Sequence, residues 1–322
     1  MRTKIELYPV AKPVELSSLA GYRAVSTNIG ANGDVIRMFV PEGVADSLFA
    51  TVRGIGGASF PKTHTDEAYS TTVVIEGETG RTMSELPPLA LAFPMVQTFP
   101  SGELLVVAPR CKRFTDGTHE FNAQRYDADG SFNEFCLGDG IQHVQVDRRG
   151  RIWVGYFDEG VFGNFGWGPP EGPEPMGAAG LVCYDRSGRE IWNFSPPEGM
   201  DYIADCYALN VAADYVWACY YTGFSIVRID SQGKVDAWQT KLRGPRSLAV
   251  TASSVLAFGG YGENANSCVL LRLGQGRADI VAEVALRLPD SVNLRKAQVL
   301  GRGGLLYVLA EDALFTFAVP SE

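Results

Sequence analysis

The sequence predicts an all-β fold, a β-propeller of about six four-stranded blades forming one domain over residues 1–322. Three observations lead there. A polar turn followed by four to six strand-forming, mostly apolar residues recurs six times along the chain. The clearest repeats contain four short runs rich in Val, Leu, Trp and Tyr, bounded by Gly, Asp and Ser. No segment sustains the 3.6-residue apolar spacing of a helix.

The repeats, in order, are NGDVIRMFV from Asn32, PSGELLVVA from Pro100, RRGRIWVGY from Arg148, AADYVWACY from Ala212, ASSVLAFGG from Ala252 and RGGLLYVLA from Arg302. Branched and aromatic side chains pack well on pleated surfaces, whereas the flanking turn residues stop pairing. The third repeat shows the full unit. HVQVD (143–147) is followed by RIWVGY (151–156), GLVCYD (180–185), the turn Asp185 to Gly188, and EIWNFS (190–195). The fourth copies it with ALNVA (208–212), YVWACY (215–220), FSIVRID (224–230), the turn Asp230 to Gly233, and KVDAWQ (234–239). The last unit runs out one strand short after ALFTFAV (313–319), and KIELYPV (4–10) is expected to supply the missing strand and close the ring.

Composition narrows the partners. With 46% hydrophobic and 20% charged residues the chain is globular, and a formal charge of -9 argues against a broad grip on nucleic acid or an anionic membrane. No leader-like apolar run opens the sequence and no stretch reaches the roughly 18 apolar residues of a membrane span, so the expected location is cytoplasmic. Six widely spaced cysteines without a Cys-x-x-Cys pair read as buried thiols.

The polar turn with Gly-x-Ile-Trp-Val-Gly at Gly150 to Gly155, and the Asp-x-x-Gly turns, resemble the six-bladed propellers of the NHL, SMP-30 gluconolactonase and virginiamycin B lyase type over about 100–320. The resemblance implies architecture. Gluconolactonase-like members hold a divalent metal on the axis with a Glu, Asn and Asp set, which does not map onto positions here.

Loop lengths mark a functional face. The connections at about 41–70, 109–121, 157–179 and 259–267 are long, and in a propeller they share one face. Aligning the repeats on their turns places Ser26, Met95, His143, Tyr207, Arg246 and Lys296 at one equivalent position, where the innermost strand would enter from that face. Repeated polar and cationic residues in a packed position need partners, so this ring is either a ligand pocket or a solvated channel mouth with internal ion pairs. Asp158 and Glu159, Glu263 and Asn264, and Asp139 begin nearby loops; such carboxylates suit general acid–base work or a hard cation such as Ca²⁺ or Mg²⁺, or are simply solvated. His64 and His119 read as surface loop residues. The Gly/Pro-rich insertion 163–177 reads as a lid, a partner-binding loop or an extended surface loop.

No nucleophile elbow, phosphate loop, zinc helix or dinucleotide fingerprint is present. Two readings stay open. One is a hydrolase or lyase acting on a small polar or anionic metabolite, with His143 transferring a proton beside Asp158 and Glu159, and with Tyr207, Arg246, Lys296, Glu263 and Asn264 binding the ligand. The other is a non-catalytic propeller that recognises a protein or small ligand on its long-loop face.

Overall fold

The computed structural model describes residues 3–54, 57–78, 80–170, 172–310 and 313–320. The chain divides into two compact units, residues 18–194 and residues 1–17 with 195–322. Both are all-β and carry a propeller-like series of four-stranded antiparallel meanders.

In the unit 18–194 the first sheet runs Tyr22–Ile29, Val35–Pro41, His64–Gly77 and Gly80–Leu91. The second runs Met95–Thr98, Leu104–Val107, Ala123–Tyr126 and Phe132–Phe135, and the third Ile141–Val146, Ile152–Tyr156, Leu181–Tyr184 and Glu190–Asn193. The other unit begins with Asp205–Val211, Val216–Tyr221, Ile226–Ile229 and Val235–Thr240, then Ser247–Val250, Ser254–Phe258, Cys268–Leu273 and Arg277–Leu286. These eight strands do not stand as two sheets. Gln239 and Thr240 pair in parallel with Arg277 and Ala278, and with Thr3–Leu7 they form one nine-stranded sheet. Four expected blades are therefore separate sheets and two are merged, because the long outer strand Arg277–Leu286 reaches the edge of the preceding meander.

The last sheet, Gln298–Arg302, Leu305–Ala310 and Ala313–Ala318, does receive its fourth strand from the start of the chain, but the paired strand is not the expected 4–10, of which Val10 donates its N–H to Thr316 O at 2.9 Å. Val14 and Glu15 pair antiparallel with Leu314 and Ala313. The segment Thr3–Leu7 instead lies parallel to Ala282–Leu286, one meander earlier. Two prolines, Pro9 and Pro13, lack the N–H a continuous ladder strand needs and separate the two pairings.

The predicted Asp-x-x-Gly turns are carboxylate-bonded. Asp147 Oδ1 accepts the N–H groups of Arg149 and Arg151 at 2.9 Å each, while Oδ2 accepts Arg151 Nε at 2.7 Å and Trp153 Nε1 at 3.1 Å. Asp185 repeats the pattern on Ser187 and Arg189, and its carboxyl falls to about 2: burial opposes ionisation, and those four hydrogen bonds outweigh it. Trp217 and Trp238 stack with centroids 5.7 Å apart.

Within each unit, a buried amide ties neighbouring inner strands. Gln97 donates to Ile29 O (3.5 Å) and accepts from Val146 N–H (3.2 Å). Asn210 donates to Leu248 O (2.6 Å) and Gly303 O (3.0 Å) and accepts from Gly303 N–H (2.9 Å). All six cysteines are buried free thiols, as expected. No helix among the described residues is long and apolar enough to cross a membrane.

Candidate functional site

In the unit containing 195–322, Tyr207 sits on the inner strand Asp205–Val211, whose register shifts between Cys206 and Ala208. The same irregularity falls between Ile141 and His143 and between Ala24 and Ser26. Tyr207 is itself the residue left outside the ladder, whereas in the other two strands that residue is Gln142 or Val25, one before the singled-out His143 and Ser26, which stay paired with Gly155 and Met38. A bulge leaves one residue outside the ladder and re-aims its side chain.

Around Tyr207 stand Phe224, Tyr261 and Tyr221, at ring distances of 5.1, 5.9 and 6.5 Å. Tyr261 Oη donates to Tyr207 Oη at 2.5 Å, and burial together with this bond pushes the Tyr207 hydroxyl above its ordinary range, so it stays a neutral hydrogen-bonding group. Phe224 is buried with a left-handed backbone (φ 55°), a conformation costly for a bulky residue and found where surrounding structure enforces it. Tyr221 and Tyr261 remain 46% and 49% exposed, so the cluster is open to solvent on one side.

One guanidinium group stands over a ring of this cluster and a second over the buried Phe258. Arg243 lies 5.7 Å from the Phe224 centroid and Arg246 5.8 Å from that of Phe258. Arg243 donates to Leu242 O and Arg246 to Ala265 O, both neutral acceptors. Among the described residues neither has a carboxylate partner, and both are exposed. Glu263 and Asn264 lie exposed on the 3-10 turn Gly262–Asn266 whose Ala265 carbonyl holds Arg246, and Asn264 accepts from Ser267 Oγ at 3.3 Å. Tyr207, Arg246, Glu263 and Asn264 are therefore brought to one loop cluster. Lys296 sits in an exposed turn before Gln298–Arg302, not on the strand, with its N–H bonded to Asn293 O. Arg246 likewise precedes its strand, Ser247–Val250.

The unit 18–194 holds His143, Asp158 and Glu159. His143 is half-buried on Ile141–Val146. Asp158 opens the helix Asp158–Phe162 and accepts the Glu159 N–H at 2.8 Å, with its side chain exposed. Glu159 pairs with Arg110, whose guanidinium is 3% exposed and also lies 2.9 Å from the Asp139 carboxylate. Phe165 and Phe157 face the Arg110 guanidinium at 4.3 and 5.4 Å. Burial raises Asp139 to about 6, Arg110 and the Cys111 and Gly140 amides pulling the other way.

Glycine makes this knot possible. Gly138 and Gly140 take φ of 80° and 71° around Asp139, and a Cβ on Gly140 would lie 2.2 Å from Gly160 N. Three long segments meet here. Arg113 N–H donates to Phe165 O at 2.9 Å, Trp167 Nε1 to Cys111 O at 2.9 Å, and Thr63 Oγ1 to Glu120 at 3.0 Å. The insertion 163–177 is packed through the buried Trp167 rather than extended. His64, expected at the open surface, lies half-buried with Nδ1 3.7 Å from Glu120, while His119 is exposed and packs on Phe121 and Trp167.

Sequence reasoning missed Arg110 as a buried ion, and it missed Arg243, Tyr221 and Phe224. The Gly-Asp-Gly at 138–140 was the available signal for the first. For the others there was none beyond aromatic density. Among the described residues no group of three or more His, Cys, Asp and Glu is placed to hold a metal ion.

Set against known proteins, the chain falls in the class of all-β proteins with propeller-like sheets. Residues 176–317 match the model of the YxzG family, and no curated protein matches the chain. Among solved structures it is similar to a catalytically inactive virginiamycin B lyase from Staphylococcus aureus with quinupristin, at 11% identity and TM-score 0.47, covering 96% of this chain and 99% of that one. A streptogramin B lyase gives 11% identity and TM-score 0.49 over 96% and 97%, and apo AztD from Citrobacter koseri 10% and 0.43 over 92% and 90%.

Proposed function

We propose that this protein is a six-bladed propeller that binds a small anionic ligand with a planar part on the surface formed by Tyr207, Tyr221, Tyr261, Arg243 and Arg246. The observation that carries the reading is the pair of exposed guanidinium groups that meet only carbonyl oxygens and aromatic rings among the described residues. Guanidinium suits carboxylate and phosphate bidentately, and rings offer a stacking surface. Glu263 and Asn264 on the adjacent turn supply an acceptor and an amide for the polar rim.

A hydrolase or lyase reading rests on His143, half-buried on its inner strand directly after the bulge at Gln142. In that reading His143 transfers the proton, while Asp158 offers an exposed carboxylate and Glu159 one already neutralised by Arg110.

Calorimetric titration of the full chain with phenyl phosphate, with benzyl alcohol as the neutral control, tests the binding surface. The expected result is saturable binding of phenyl phosphate alone, weakened at least about tenfold in an Arg243→Gln, Arg246→Gln double variant whose melting temperature is unchanged. No binding, or equal binding by the double variant, refutes the assignment. Ester hydrolysis by the full chain that His143→Gln abolishes would favour the enzymatic reading over simple recognition.

A further inference from the structure

Four of the six thiols, those of Cys183, Cys206, Cys219 and Cys268, lie within strands, and Cys206 and Cys219 donate to backbone carbonyls of their own sheet. Cys111 and Cys136 differ. Cys111 opens the long segment 109–121, Cys136 follows the strand Phe132–Phe135, and Met176 comes from the insertion 163–177. Cys136 Sγ lies 3.5 Å from Cys111 Sγ and 3.6 Å from Met176 Sδ. Three sulfur atoms thus converge from three separate segments of one unit, under the buried Trp167.

The surroundings hold the sulfurs in place. Cys136 Sγ shares a hydrogen bond with the Cys111 thiol, accepts the Gly138 N–H at 3.3 Å and meets Met176 Sδ at 3.6 Å. The backbone around Cys111 is fixed: its N–H is held by Asp139 at 2.8 Å and its carbonyl by Trp167 Nε1 at 2.9 Å. Such outer bonds orient ligands around metals. Met176 is seated by the absence of a side chain at Gly138, where a Cβ would stand 2.9 Å from Met176 Cβ.

We propose that Cys111, Cys136 and Met176 form a binding site for a soft monovalent metal ion, Cu(I). Two thiolates and a thioether are the donors that select Cu(I), whereas Ca²⁺ and Mg²⁺ require oxygen. With metal–sulfur bonds of about 2.3 Å, a three-coordinate ion spans sulfurs about 4 Å apart, so the present spacings widen by a few tenths of an ångström. A disulfide would employ only the two cysteines and leave the thioether without a role. Binding forms two copper–thiolate bonds and one copper–thioether bond, releases the remaining thiol protons to solvent, and changes no oxidation state. The site is independent of the anion-binding surface, which lies in the other unit.

The test is anaerobic titration of the reduced, metal-free full chain with Cu(I) held by bicinchoninate, following loss of the chelator's colour. The expected result is transfer of a single equivalent, protection of Cys111 and Cys136 from iodoacetamide, abolition of transfer by Cys136→Ser, and weakening by about tenfold or more in Met176→Leu. Met176→Leu nearly conserves volume, so if Cys136→Ser fails to fold, wild type and Met176→Leu decide the matter. Absence of transfer, or identical affinity in Met176→Leu, overturns the three-sulfur site. So does a Cys111–Cys136 disulfide formed with oxidised glutathione in a protein that takes up no Cu(I).

Discussion

Replacing Arg110 by methionine keeps much of the side chain's length and removes its charge from a site where the guanidinium is 3% and the Asp139 carboxyl 2% exposed. In the wild type, Asp139 stands at about 6 instead of 3.8, so its ionised form already costs the native state on the order of 3 kcal/mol even beside Arg110. Without Arg110 the carboxylate need not stay charged. Holding it protonated at pH 7 costs about 4 kcal/mol relative to the unfolded chain, roughly 1 kcal/mol more than the wild type bears. Loss of the stacking on Phe165 and Phe157 adds about 1–2 kcal/mol. The expected destabilisation at pH 7 is therefore about 2–3 kcal/mol, less than the 3–5 kcal/mol of a buried pair that cannot relax by protonation.

The pH dependence has a definite sign. An acid whose folded pKa is raised makes the native state bind more protons than the unfolded state, so its contribution to stability falls as pH rises from about 4 to about 6. At pH 5 the carboxyl is largely protonated with or without Arg110, and the gap between variant and wild type should shrink by about 1 kcal/mol, to the stacking loss alone. Urea unfolding of both proteins at pH 5 and pH 7, read by tryptophan fluorescence, measures this directly. A gap that is equal at the two pH values, or larger at pH 5, refutes the argument.

Three further outcomes follow from the packing. Asn210→Leu strands the buried groups at Leu248 and Gly303 and should lower stability by about 2–4 kcal/mol in chemical denaturation, an effect under 1 kcal/mol showing that water replaces the amide. Gly140→Ala should cost at least about 2 kcal/mol, since a strained φ coincides with contact against Gly160, whereas Gly130→Ala, with φ 82° and open space around it, should cost only about 1 kcal/mol; equal losses would remove the contact from the explanation. Removing residues 1–15 should expose the edges at Arg277–Leu286 and Ala313–Ala318 and speed amide exchange in both strands, an unchanged exchange pattern contradicting the pairing.

The repeats were legible because the second strand of each meander is apolar nearly throughout and the tight turns announce themselves with Asp and Gly. Val144, Val146, Ile152 and Val154 bury completely or nearly so, which is what an uninterrupted apolar run requires. Aligning repeats also led to Tyr207, the bulged residue of its inner strand, and to His143, which follows the bulge at Gln142. The parallel pairing of Gln239 and Thr240 with Arg277 and Ala278 left no trace, because such a pair is set by strand length and direction and not by side-chain alternation. Thr3–Leu7 was read as a strand but assigned to the wrong edge for the same reason. Arg110 lay hidden within a loop whose polar residues look solvated until the fold turns Phe157 and Phe165 inward.

The pairing of Thr3–Leu7 with Ala282–Leu286, and of Val14–Glu15 with Ala313 and Leu314, fixes an order of events during synthesis. At about 5–20 residues per second, roughly 15 to 60 s separate the emergence of these partners from the ribosome. Residues 18–194 can complete their own sheets in that interval, while the first two strands wait with unpaired amides and an exposed Ile5 and Leu7. The alternation KIELY carries a lysine and a glutamate on the opposite face, the kind of charge that keeps a waiting strand from pairing with a neighbour's edge. Assembly of the second unit is thereby a long-range closure, slow in proportion to the chain it must span.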